Sequence, residues 1–212
     1  MTTVAQISEC LQKGDADGVS ELTKKALDEK LGVQLILDDG LIAGMAVVGE
    51  RFKTHRIFLP DVLMAAKAMY AGMDLLKPLI IKEGIPSAGK VVMGTVQGDL
   101  HDIGKNLVSI MLKGAGFDVI DLGNDVPPEK FIDTAVDEAA QVIGLSALLT
   151  TTMPAMSRVV GLARERGIYG KVRIVVGGAS LSSAFAEEIG ADAYCYDGIS
   201  AVECVKRFVG AG

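Results

Sequence analysis

The hydrophobic pattern of this 212-residue chain changes period once. From residue 1 to about 84, apolar residues recur three or four apart, the spacing of one helix face. Val4, Ile7 and Leu11 share a face of a first helix that ends at Gly14. Asp15 or Asp17 is placed to cap a second, which carries Val19, Leu22, Ala26 and Leu27. A third runs from about Leu31 to Phe52, with a break expected near Asp38-Asp39-Gly40. The fourth opens at Leu59-Pro60-Asp61, where a proline in the first turn loses no helical hydrogen bond. It continues through Leu63, Met64, Met69 and Met73 to about Ile81. Four helices with short joins predict an antiparallel bundle over 1–84.

Residues 85–90, within Gly84-Ile85-Pro86-Ser87-Ala88-Gly89-Lys90, read as a linker. Over 91–212 short apolar runs alternate with helical stretches. The runs are Lys90–Val96, Asp118–Leu122, Val142–Ser146, Val172–Val176 and Ala193–Tyr196. Helices are expected near 103–115, 128–139, 151–166, 181–189 and 198–209. This alternation predicts five parallel strands with right-handed helical crossovers, an α/β doubly wound sheet. Ligands of such sheets bind at the carboxyl ends of the strands, so the residues that follow each run matter most.

After the first run stands Asp99-Leu100-His101-Asp102-Ile103-Gly104. An imidazole there, with a carboxylate two residues before it, suits ligation of a metal by an oriented histidine. Ser146, Leu148, Thr150, Thr151 and Thr152 follow the third run, and Gly177-Gly178 the fourth. Each has an ordinary alternative: a surface histidine, helix N-caps, a tight turn. Their occurrence together on successive strand ends is what marks a site. The fit to a phosphate-binding loop fails, because five residues separate Gly98 from Gly104 and Asn106 stands where Ser or Thr would hold magnesium. His55 is the only other histidine, which argues against a multi-histidine metal centre or a catalytic triad.

Net charge is −6, with no basic run to neutralise phosphates, so nucleic acid is not an expected partner. No apolar stretch reaches membrane-spanning length, and the N-terminus lacks the features of a secretory signal. Cys10, Cys195 and Cys204 show no metal-ligand spacing. A cytoplasmic location is the resulting expectation.

Gly98-Asp99-Leu100-His101-Asp102-Ile103-Gly104 fits a DxHxxG signature, and Ser146-Ala147-Leu148 and Gly177-Gly178 fit its two companions in order. Together with Gly49-Glu50-Arg51-Phe52 and Phe58-Leu59-Pro60, the chain resembles methyl-carrying corrinoid proteins. It is similar in layout to the cobalamin-binding portion of cobalamin-dependent methionine synthase. The resemblance implies a helical cap joined to a Rossmann-like or flavodoxin-like domain. The implied cofactor is cobalamin or a related corrinoid, methylcobalamin in the loaded state, bound base-off and His-on. His101 would be the lower cobalt ligand and Asp99 its hydrogen-bonding partner. Leu100, Asp102, Ile103 and Gly104 would complete the loop. Ser146 and Thr150 would meet polar groups of the nucleotide tail and Leu148 its ring, while Gly177 and Gly178 keep the passage open. Phe58, Ala65 and Met69 would face the upper side from the cap.

No residues are left over for substrate activation, so no catalytic residue is assigned. The resemblance implies a carrier in C1 metabolism. It would serve a substrate-specific methyltransferase, an acceptor methyltransferase using tetrahydrofolate or a thiol, and a reductive activator protein. O-demethylation of methoxylated aromatics is the expected donor chemistry, with methylamines, methanol or betaines as the other donors. A cobalamin-responsive regulator and the cobalamin subunit of a mutase are the alternatives.

Overall fold

A computed structural model describes residues 1–210, which divide into two compact units, Met1–Pro86 and the chain from Ser87 onward. The first unit is helical. Helix α1 (Thr3–Gln12) buries Val4, Ile7 and Leu11 as the periodicity requires. Asp15 caps α2 (Ala16–Asp28), its Oδ1 accepting the Gly18 N–H at 2.9 Å.

The third helix does not break at Asp38-Asp39-Gly40. A short α3 (Val33–Leu35) widens into a π-helical stretch (Ile36–Ile42) and runs on as α4 (Ala43–Lys53). The poor helix formers are absorbed in a wider turn. Ile36, Gly40 and Leu41 are buried there while Asp38 and Asp39 stay outside. Both nearby glycines press on α1: a Cβ on Gly40 would lie 3.3 Å from Ile7 Cγ2, and one on Gly44 3.2 Å from the Ser8 backbone.

Helix α5 (Leu59–Glu83) starts with Pro60 in its first turn and Asp61 accepting the Phe58 N–H at 2.8 Å. Its inward face is not the expected one. Leu63 and Met64 are exposed, Met73 is half-buried, and the buried stripe is Ala65, Ala68, Met69, Gly72 and Leu76. Small side chains allow close helix contact; Leu41 occupies the space where a Gly72 Cβ would sit.

The second unit is a five-stranded parallel sheet in the order β2-β1-β3-β4-β5, the flavodoxin-like order. The strands are β1 (Lys90–Thr95), β2 (Asp118–Asp121), β3 (Val142–Ser146), β4 (Arg173–Gly177) and β5 (Ala193–Cys195). Between and after them lie α6 (Ile103–Gly114), α7 (Pro128–Asp137), α8 (Pro154–Glu165), α9 (Ser183–Ile189) and α10 (Gly198–Val209). Alternation along each strand sorts the core. Val92, Ile143, Leu145 and Val176 pack with Phe131 of α7 and Met156 and Val160 of α8. Val91, Met93, Val142 and Val175 pack on the other face with Leu112 of α6 and Val205 of α10. Residues 88–90 are already tied to this unit, with Ala88 N–H on Gly116 O and Lys90 N–H on the Gln141 side chain.

Parallel register brings Thr95, Ser146, Gly177 and Cys195 level with one another. The row lies at the carboxyl edge, and the loops beyond it carry the residues singled out in the sequence. None of the helices among the described residues is long and apolar enough to cross a membrane.

Candidate functional site

Beyond that row opens a cavity of about 430 Å³. Three segments line it: residues 100–104 after β1, residues 146–148 at the end of β3, and Gly178-Ala179 after β4. Leu100, His101, Asp102, Ile103, Gly104, Ser146, Leu148 and Gly178 are thus brought together. Gly177 lies level with Ser146 but outside the lining, and Thr150 is exposed in the turn, also outside it. Phe58 of the helical unit is exposed, whereas Ala65 and Met69 are buried.

Asp99 does not line the cavity. It lies fully buried and organises the loops around it. Its Oδ1 accepts the His101 backbone N–H at 3.0 Å and meets His101 Nδ1 at 2.7 Å. Its Oδ2 accepts the Leu148 N–H at 2.8 Å, the Leu149 N–H at 3.2 Å and the Thr152 hydroxyl at 2.8 Å. Burial pushes the Asp99 carboxyl up, but hydrogen bonds from His101, Leu148 and Thr152 outweigh it and hold the group well below the ordinary carboxylate range. Asp99 is therefore ionised and can only accept, so the proton between it and the imidazole belongs to Nδ1. In the neutral ring Nε2 then carries the lone pair, on a side chain about half exposed (52%) at the cavity.

Thr152 belongs to the hydroxyl run noted in the sequence, but the role there fell to Thr150 and none to Thr152. It stands in a run of three threonines, and only the fold of the 147–152 turn selects it over Thr150. The Leu148 and Leu149 amides carry no side-chain signal at all.

Among the described residues, no group of three or more His, Cys, Asp and Glu could hold a bare metal ion. One oriented imidazole would suit a metal that arrives already held by an organic ligand, as cobalt does in a corrinoid. The surroundings fit an organic ligand. A Cβ built on Gly104 meets no atom within 4 Å, so the first turn of α6 is open to close approach. Leu100 and Ile103 are largely exposed, apolar surface beside the histidine.

The comparisons agree with this fit. Residues 89–205 match a family described as B12 binding domain, and residues 3–77 match a second family of that description. A corrinoid protein of Desulfitobacterium hafniense is 41% identical over 99% of both chains. The dimethylamine corrinoid protein of Methanosarcina barkeri is 46% identical over 91% of both. Among solved structures, the methanol:cobalamin methyltransferase complex MtaBC from Methanosarcina barkeri superposes with a TM-score of 0.90 at 31% identity, over 99% of this chain and 80% of that one. With its oriented imidazole, open first turn and matched domains, the chain belongs to the B12-binding corrinoid protein family.

Proposed function

We propose that this protein carries a methyl group between two methyltransferases, one specific for the donor and one using tetrahydrofolate or a thiol as acceptor. A reductive activator protein restores the carrier after accidental oxidation. The observation that carries this reading is the His101 imidazole, fixed at Nδ1 by a buried carboxylate with Nε2 free at the cavity. When bound, the corrinoid's cobalt supplies a centre that takes up a methyl group and releases it. His101 would ligate it through Nε2. The Nδ1–H bond to Asp99 would hold the ring in orientation and raise the basicity of Nε2 as a ligand. Ser146 and Leu148 would hold the rest of the cofactor, and Phe58 is the exposed aromatic candidate on the helical unit.

The donor class is set by the partner enzyme, because the carrier meets only the methyl group. The sequence reading favours methoxylated aromatics. The dimethylamine corrinoid relatives, at 45% and 46% identity, support a methylated amine instead. We take the amine class as the better supported donor.

Incubation of the ligand-free chain with hydroxocobalamin tests the reading. Stoichiometric corrinoid uptake is expected, and its absence would overturn it. His101→Ala should still bind corrinoid but lose the nitrogen splitting of the cobalt(II) electron paramagnetic resonance spectrum. An unchanged splitting would refute the ligand assignment. Turnover with a dimethylamine-type methyltransferase, and none with a methoxyaromatic one, is the expected donor result.

A further inference from the structure

The loop that presents His101 is held from a place outside the cavity. Lys105, in the first turn of α6, is 3% exposed. Its Nζ lies 2.6 Å from both carboxylate oxygens of Asp121, the last residue of β2, and 2.7 Å from Asn106 Oδ1. An ammonium at a helix N-terminus opposes the helix dipole, and burying it adds a desolvation cost. With the ammonium buried and the Asp121 side chain 34% exposed, the pair is weak as a source of stability; the best-attested use of such an ion pair is to fix a register.

The residues after Asp121 repeat the grip. Asp125 Oδ1 accepts the Gly98 N–H at 2.7 Å, and the Asp125 N–H donates to Asp99 O at 3.0 Å. Asn124 Nδ2 reaches Leu100 O at 3.5 Å. Asp125 does this from a left-handed backbone (φ 52°), a conformation costly for a residue with a side chain. Gly98, Asp99, Leu100 and Lys105, which bracket the histidine, are thus all tied to residues 121–125, and none of those five lines the cavity.

We propose that the 121–125 segment is a positioning clamp for His101, with Lys105 as the positioning residue that locks it through Asp121. The functional half of this inference rests on the corrinoid reading; the mechanical half does not. Loss of the lock would free the loop to drift from the geometry in which Nε2 is presented to the cavity, while leaving the lining residues after β3 and β4 in place.

Two variants test it: Lys105→Met, which fills the buried site, and the double variant Lys105→Met with Asp121→Leu, which removes both charges. In the ligand-free chain, hydrogen exchange of residues 98–104 should accelerate at least about tenfold in both, with β3 and β4 unchanged. With hydroxocobalamin, both should still take up corrinoid, and after reduction the fraction showing the axial nitrogen splitting should fall from complete to a minority. The double variant should recover the thermal stability lost in the single one but not the ligated fraction. If Lys105→Met does not fold, the double variant carries the test. Native exchange in 98–104 would overturn the clamp, as would full nitrogen ligation in the double variant. Faster exchange in a chain that takes up no corrinoid would support the clamp and overturn the functional reading alone.

Discussion

Asp99→Ala should cost the second unit about 3 kcal/mol or more, read by chemical denaturation at neutral pH. The carboxylate is fully buried and accepts five donors: two from His101, the amides of Leu148 and Leu149, and the Thr152 hydroxyl. Truncation leaves several of them inside the protein without a partner, which is worse than removing donor and acceptor together. Asp99→Asn separates charge from shape. Its amide keeps one acceptor oxygen but turns an NH₂ group toward donors, so it should also destabilise.

The pH dependence follows from the direction of the shift. The folded carboxyl titrates below its ordinary 3.8, so the folded state binds its proton later than the unfolded chain. The stabilisation is complete above the unfolded value and drains away as pH falls from there through the folded one. Native protein should lose stability below about pH 4. Asp99→Asn, already destabilised, should show a flatter acid limb, and an identical limb in the two proteins would contradict the assignment.

Gly178→Ala should be as severe from a different cause, at about 4 kcal/mol or more, or with no soluble protein recovered. Gly178 has φ 144°, and an ideal Cβ would collide with the Ala147 carbonyl oxygen. Something in the backbone must move, and Ala147 begins the turn whose amides hold Asp99. Gly104→Ala makes the contrast, because its added methyl meets open cavity. It should leave the ligand-free chain within about 1 kcal/mol of native while weakening corrinoid uptake. Circular dichroism on heating separates the two variants.

The sheet and the histidine loop were legible because both write themselves in side chains: apolar runs of strand length, then Asp, His and Gly at fixed spacing. What escaped has no such mark. The donors to Asp99 include backbone amides that any residue could supply, and Thr152 differs from Thr150 only through the path of a turn. In the helical unit the eye goes to Leu63 and Met64, yet close packing rewards Ala65, Ala68 and Gly72, whose small size leaves little hydrophobic signal. The acidic pair before Gly40 looked like a break because Asp and Gly disfavour a regular α-helix; a π turn satisfies the same residues.

That π turn takes up slack in the chain. It places an additional residue in the 36–42 stretch while the backbone hydrogen bonding continues through it. Deleting one residue there would let an ordinary α-helix form, at little local cost. The remaining residues, wound as α-helix, would turn the chain about as far as the seven of the wider turn do, so α4 would keep its direction and Gly44 its seat against the Ser8 backbone. The same deletion in the regular helix that follows would rotate everything beyond it by about 100° and draw it back by about 1.5 Å. The segment 36–42 is therefore where this helix can lose a residue without re-aiming the face of α4.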